Sequence, residues 1–395
     1  MAECFEEDGA LGVVLIDARG LSPIEQQYGG AALDHAMSNL GELVSGLVSD
    51  RLSVNDRVVA GETGRDEIVV FLFRGQDETD FFKRELDRIR RRVSHGLEQR
   101  GHRAGYPYTK SVPPFLVGTG TALRNPTIRP ELQMRQALED ARDHIDLVSR
   151  LESRRRRKQL FELVIDRQIY SVYEPIVDVH SRTVFGYEAL ARGPDGTDLH
   201  SPMKLFTMAA EQGLVFQLDC LCRQSGLDGA RDLPGDAKLF LNVRPSTIHD
   251  PNFRADALER TLHRCQLQPS DVVFEVSEQE SIENFDIFRE VRDYYGKLGF
   301  QIALDDVGAG YASLEAVMEL EPEFIKVDRA FCTRIDEDPG RQQLLAALQS
   351  LAERIGARII GEGLDTLEEL ETLGRIGIDF GQGWLFGKPH PLRSD

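Results

Sequence analysis

The stretch QIALDDVGAG, residues 301–310, decides how the C-terminal half is read. Four residues with the character of a short buried strand run into two adjacent aspartates, and glycines follow at 308 and 310. Two neighbouring carboxylates repel each other, so a chain that ends a strand on them either leaves them in solvent or brings them to a cation.

Working outward, the same layout recurs. Strand-like runs occupy 172–179, 184–192, 238–243, 271–278, 301–306, 324–329, 357–364 and 380–387, separated by stretches with helical apolar spacing such as RQQLLAALQSLAERIG. Eight strands alternating with helices predict an α/β fold, a (β/α)8 TIM-like barrel, rather than an open sheet. Near the ends of these strands stand Glu188, Asn242, Glu275, Asp305 with Asp306, Lys326, Glu362 and Gln382. A barrel gathers its strand ends on one face, so residues scattered along the chain would share one pocket. Oxygen ligands without nearby Cys or His select a hard cation, Mg2+ or Mn2+, and paired aspartates suit a two-metal site.

The remaining composition bounds the alternatives. The 395 residues carry 66 Asp and Glu against 47 Lys and Arg, a formal charge of −19, which argues against a nucleic-acid polymer as partner. The longest apolar run, LGVVLI, falls far short of the roughly 18–20 residues of a membrane helix, so no membrane insertion is expected. MAECFEEDGA lacks the regions of a secretory signal, and a cytoplasmic location follows as the expectation. Cys4, Cys220, Cys222, Cys265 and Cys332 are scattered and read as reduced thiols. The basic run RLESRRRRK, 150–158, marks the sharpest shift in composition. It predicts a domain at 1–148, a helical basic linker at 149–160 and the barrel at 161–395.

In order, the motifs EALAR (188–192), LNVRPS, FEVSE, LDDVGAGYASL, IKVDRAF, GEGLD and GQGWLFGKP resemble the EAL-domain phosphodiesterases that hydrolyse cyclic di-GMP in bacterial signal transduction. The resemblance implies a modified barrel whose first strand runs against the others. It implies Glu188, Asn242, Glu275 and Asp305 as ligands of one metal, with Asp305 bridging to a second ion held by Asp306 and Glu362. It makes Lys326 the partner of the attacking water, Gln382 an orienting group, Arg192 a phosphate contact and Glu278 the anchor of the loop after the aspartates. Hydrolysis of cyclic di-GMP to linear pGpG and a homodimer follow from the same resemblance. A catalytically silent receptor that signals through a partner protein is the alternative. The chain departs from the family pattern at Glu174, a guanine contact where Gln is usual, at Gly193, at Val307 and at Asp365.

Residues 11–150 resemble a GGDEF domain in degenerate form: LGVVLIDARGL as opening strand, QYGGAALD, and GRDEIVVFL at the signature hairpin. Asp17, Asp34, Asp66 and Glu67 are the candidates for a residual GTP or cation site. Arg65 stands where the signature needs glycine, Glu25 and Ser22 replace nucleotide contacts, and Ser53 replaces the arginine of the inhibition site. A regulatory module without diguanylate cyclase activity is therefore expected.

Overall fold

The computed structural model describes every residue except 62–64, 111, 278–284, 309–312 and 393–395. The chain forms two compact units, Met1–Arg155 and Arg156–Asp395. The 36-residue helix Pro130–Ile165 runs through the boundary.

In the first unit, β1 (Gly9–Asp17), β2 (Arg57–Ala60), β3 (Glu67–Gly75) and β4 (Leu116–Leu123) form an antiparallel sheet in the order β2-β3-β1-β4. Side chains alternate across a strand, so a strand covered on both sides is apolar throughout. That is the case for β1: Val14 and Ile16 face a core shared with Leu40, Val44 and Val93, while Leu11, Val13 and Leu15 face Ala137, Ala141 and Ile145.

The second unit is a closed eight-stranded barrel. Its strands are β5 (Tyr170–Asp178), β6 (Val184–Arg192), β7 (Lys238–Asn242), β8 (Val272–Ser277), β9 (Gln301–Val307), β10 (Phe324–Val327), β11 (Arg358–Gly361) and β12 (Phe380–Gln382). β5 pairs antiparallel with both β6 and β12, and the pairs from β6 round to β12 are parallel, so the first strand opposes the other seven. The last strands are shorter than the sequence suggests. β11 ends before Gly363 (φ 68°) and β12 before Gly383 (φ 150°), backbone settings that take the chain out of the ladder. The long helical stretch after Ser201 is likewise two helices, Pro202–Gln212 and Val215–Asp228, because Gly213 in the left-handed region caps the first.

Inside the barrel one apolar layer is built from Ile176, Phe240, Val273, Ala303, Phe324, Ile360 and Phe380, with Phe185 packed against it. The Arg358 guanidinium lies 4.6 to 5.1 Å from the Phe185, Phe324 and Phe380 ring centres. This layer is the floor on which the site stands.

Candidate active site

Alternation with a period of two carries the floor into the site. Two residues beyond Phe240, Val273, Ala303, Phe324, Ile360 and Phe380 come Asn242, Glu275, Asp305, Lys326, Glu362 and Gln382. β5 runs the other way, so its polar group, Glu174, lies two residues before Ile176. Glu188 pairs in register with Glu174 and lies two residues beyond Gly186, where a Cβ would press on the Lys238 carbonyl at 2.7 Å. The polar groups thus form a second layer, at the end of the barrel where the parallel strands terminate.

Asp306 breaks the alternation. Between β9 and β10 the register passes from Leu304↔Ile325 to Val307↔Val327, so Asp305 and Asp306 together face Lys326. This is a β-bulge, with Asp306 in the left-handed region at φ 59°. The bulge sends both neighbouring carboxylates to the same side. Carboxylate oxygens of Asp305, Asp306 and Glu362 lie within 4.8 Å of one another, the one such acidic or metal-ligating trio among the described residues.

Lys326, 1% exposed, occupies the centre. Its Nζ lies 3.1 Å from Glu188 Oε2, 2.9 Å from Glu275 Oε1, 3.2 Å from Asp305 Oδ1 and 2.8 Å from Glu362 Oε1. Gln382 Nε2 donates to Glu188 Oε2 at 2.7 Å and to Glu174 Oε2 at 3.1 Å, while Asn242 Nδ2 donates to Glu188 Oε1 at 3.0 Å. Burial works against the charge on Glu188, but Lys326 and the two amides outweigh it and hold its carboxyl below the ordinary value. Burial, with Glu188 beside it, pushes Glu275 well above the ordinary range. Burial also lifts Glu362 to about 8, with Asp305 and Glu188 adding to it against Lys326. Asp306 rises to about 6 through burial and the Asp305 charge. Burial opposes the ammonium of Lys326 too, yet the surrounding carboxylates, Asp305 first, hold it well above its usual value.

Acceptors outnumber donors here. Glu275 Oε2 and Gln382 Oε1 are buried without a donor, and Glu275 Oε1 and Asp305 Oδ1 touch Lys326 as charge contacts outside hydrogen-bond geometry. One ammonium among four carboxylates, with spare oxygen lone pairs and, among the described residues, no sulfur or imidazole in the cluster, fits a hard divalent cation.

Two cavities share Glu188. One, of about 320 Å³, is lined by Glu174, Asp305, Lys326, Arg329, Glu362, Asp365 and Trp384 among others. The second, of about 360 Å³, is lined by Phe206, Asp219, Arg223, Asn242, Arg244 and Glu275 among others. Arg192 lies on the same strand face as Glu188, half-buried, its Nη1 donating to the Ala191 carbonyl at 2.9 Å. Val307 is 1% exposed, and a side chain at 193 would run into the Leu199 carbonyl. Glu278 and Gly310 lie outside the described residues. Gly308 has φ 107°, and a Cβ there would meet the Phe331 ring at 2.7 Å, so glycine is required.

Sequence reading passed over two features. Trp384, the chain's single tryptophan, is 62% exposed at the first cavity with the Lys388 ammonium 4.8 Å from its ring; its rarity was the available signal. Arg223 is buried between Asp219 and Asp250, over the Phe253 ring, with Thr247 accepting at 2.9 Å. Only an arginine four residues after an aspartate on a helix hinted at it.

In the first unit three of the four candidate acids are engaged with side chains of the unit itself. Asp17 accepts from Arg19 Nε at 2.8 Å, Glu67 pairs with Arg142, and Asp66 accepts from Ser22 Oγ at 3.3 Å. A cavity of about 330 Å³ is lined by Asp17, Asp66 and Glu67 together with Arg19, Arg65 and Arg142. Asp34 is exposed on the helix Gly30–Val48 and is not among its lining residues.

Over 99% of its length the chain is 24% identical to the bifunctional diguanylate cyclase/cyclic di-GMP phosphodiesterase MucR of Pseudomonas aeruginosa, covering 57% of that protein. It is 31% identical to the probable cyclic di-GMP phosphodiesterase PdeG of Escherichia coli across 231 residues, 56% of this chain and 45% of that one. The chain therefore spans about half the length of these relatives. Among solved structures, PaMucR phosphodiesterase in complex with c-di-GMP matches with a TM-score of 0.53 at 26% identity, covering 59% of this chain and 96% of that one. The c-di-GMP-bound standalone EAL protein of Vibrio cholerae matches with a TM-score of 0.50 at 27% identity, covering 56% and 92%. Residues 157–389, well over half of the chain and including every group of the polar layer, match the EAL domain, and the chain belongs to that family.

Proposed function

We propose that the chain hydrolyses cyclic di-GMP to linear pGpG in a metal-dependent reaction, with the first unit a regulatory module of degenerate GGDEF type. The observation that carries this is the polar layer itself: one buried ammonium among four carboxylates, beside the Asp305–Asp306–Glu362 trio. Glu188, Asn242, Glu275, Asp305, Asp306 and Glu362 would hold Mg2+ or Mn2+. When bound, such ions act as Lewis acids and make a water nucleophilic near neutral pH. Lys326, kept protonated by its neighbours, supplies fixed positive charge where negative charge builds on the phosphoryl group in the transition state. Gln382 fixes the Glu188 carboxylate through its Nε2 contact. Arg192 is suited to a bidentate pair with a nonbridging phosphate oxygen. Glu174 is suited to accept from guanine N1–H and N2–H2. The cyclic dinucleotide carries two bases on one charged ring, and two cavities sharing Glu188 offer a place to each half.

The test is incubation of the purified chain with cyclic di-GMP and Mn2+ or Mg2+, followed by chromatography. The pGpG peak should appear, Ca2+ should suppress it, and Glu188→Ala and Lys326→Ala should each abolish it. Turnover retained in both variants sinks the mechanism. A second reading, a silent receptor that passes the signal to a partner protein, draws support from Glu174, an extra carboxylate bridged through Gln382 to Glu188. Tight binding without pGpG would favour it. A cytoplasmic location, a homodimer through the barrel and the absence of cyclase activity belong to the same proposal. GTP should yield no cyclic di-GMP, because Arg65 replaces the glycine of the signature and two of the candidate cation ligands, Asp17 and Glu67, are already paired with Arg19 and Arg142.

A further inference from the structure

Among the described residues the largest side chain wholly shut away from solvent is that of Arg223, on the helix Val215–Asp228 of the second unit. Its Nη1 pairs with Asp219 and donates to Thr247 Oγ1 at 2.9 Å, and its Nη2 pairs with Asp250 Oδ2 at 2.8 Å. The guanidinium lies 4.6 Å from the Phe253 ring centre. Asp219, Thr247 and Asp250 are themselves buried. A buried ion pair adds little to stability that apolar residues of similar volume could not supply, so the use of a buried arginine lies in what it holds in place.

Arg223 holds the turn that follows β7. Within that turn the Thr247 N–H donates to the Arg244 carbonyl, the Asp250 N–H to the Thr247 carbonyl and the Phe253 N–H to the Asp250 carbonyl, at 2.9, 2.9 and 3.0 Å. These bonds close the turn on itself and leave its seating on the barrel to side chains. Arg223 seats it at two points, Thr247 and Asp250, and the planar fork of a guanidinium fixes the spacing between them. Asp250 gives its other oxygen, Oδ1, to the Asn252 N–H at 2.9 Å, so one carboxylate joins the clamp to the start of the next turn, Pro251–Phe253. Asn242 is fixed differently, by the sheet. It pairs in register with Glu275, and the Val243 N–H donates to the Glu275 carbonyl at 2.9 Å. The clamp thus begins just beyond the polar layer, and Arg223, Asn242, Val243 and Arg244 all line the second cavity, of about 360 Å³.

We propose that Arg223 is a positioning residue for substrate binding: it locks the turn Arg244–Asp250 against the helix Val215–Asp228, and the cavity wall at Val243 and Arg244 then receives one half of the cyclic dinucleotide already in place. The inference rests on the hydrolysis of cyclic di-GMP proposed above. A wall that is ordered beforehand saves the cost of immobilising a loop when the ligand enters. Asn242 is held by the β7–β8 pairing, and Glu188 by Gln382 and Lys326, so a loosened turn weakens binding and leaves the chemistry of the polar layer as it was. Lysine at 223 would keep a positive charge but has no fork to span Thr247 and Asp250.

The test compares kcat and KM for pGpG formation with Mn2+, and the dissociation constant of cyclic di-GMP in Ca2+ by titration calorimetry, in the full chain and its variants. Thr247→Val and Arg223→Lys should each raise KM and the dissociation constant at least about tenfold. Their kcat should stay within about threefold of the unaltered chain, at an unchanged Mn2+ dependence. Thr247→Ser keeps the hydroxyl and should keep the affinity. Circular dichroism and urea unfolding check the fold, and Thr247→Val, which preserves the shape of the side chain, carries the test if Arg223→Lys does not fold. A folded Thr247→Val chain with unchanged KM overturns the proposal. So does a kcat that falls at constant KM, which would place the clamp in the chemistry, or a Thr247→Ser chain that binds as weakly as Thr247→Val. If the unaltered chain binds cyclic di-GMP without forming pGpG, hydrolysis alone fails; the calorimetric constant then upholds the clamp by its rise in Thr247→Val or overturns it by staying the same. A chain that neither binds nor cleaves the dinucleotide overturns both.

Discussion

At the scale of single residues, Lys326 decides the character of the site. Four carboxylates touch one ammonium, so the charge balance of the polar layer hangs on one side chain. Removing one partner of a buried ion pair leaves the others uncompensated, at about 3–5 kcal/mol. Lys326→Met should therefore lower the urea stability of metal-free protein by that order as well as abolish turnover; an activity loss with unchanged stability would show that the carboxylates do not depend on the lysine. Titration gives a second check. Glu362 at about 8 and Asp306 at about 6 stand above their ordinary values, as does Glu275, so between pH of about 4 and 8 the folded state binds more protons than the unfolded one. Stability in EDTA should then fall as pH rises through that window, and Mg2+ or Mn2+ should remove the fall. Glu188, whose carboxyl is lowered, has the opposite sign, but its contribution is lost only on the acid side of its ordinary value. A flat or rising profile in EDTA would contradict the buried, proton-sharing cluster.

At the scale of elements, the site was largely legible because strands alternate. Apolar residues two positions before Asn242, Glu275, Asp305, Lys326, Glu362 and Gln382 are visible in the sequence, and they are the barrel floor. What the sequence could not show is the bulge. Adjacent strand residues point to opposite faces, and only the β9–β10 register reveals how Asp306 joins Asp305. The backbone setting is separable from the carboxylate. Asp306→Ala and Asp306→Gly should both lose activity, while at φ 59° the glycine variant should be the more stable by about 1 kcal/mol in urea unfolding. Equal stability would mean that the left-handed setting is not imposed by the barrel. Beneath the site, Phe324→Ala removes a fully buried ring from the floor and should cost about 3–5 kcal/mol. The glycines at 213, 363 and 383 mark a similar limit: each shortens or splits an element through a positive φ that apolar spacing alone does not encode.

At the scale of the molecule, two units with their own cores should unfold as two transitions. Calorimetry can assign them, because Phe324→Ala should move only the barrel's transition and Val14→Ala only that of the N-terminal sheet. Ligands then report on each unit separately. Cyclic di-GMP with Ca2+, at about a hundred times its dissociation constant, should stabilise the barrel by about 2.7 kcal/mol and raise its transition by several degrees. GTP with Mg2+ should leave the first unit where it was. The acids that would carry its cation are already committed, Asp17 to Arg19 and Glu67 to Arg142, and a divalent ion would have to displace both arginines. A GTP-dependent rise in the N-terminal transition would show instead that those pairs open, and would make GTP a ligand through which the first unit could regulate.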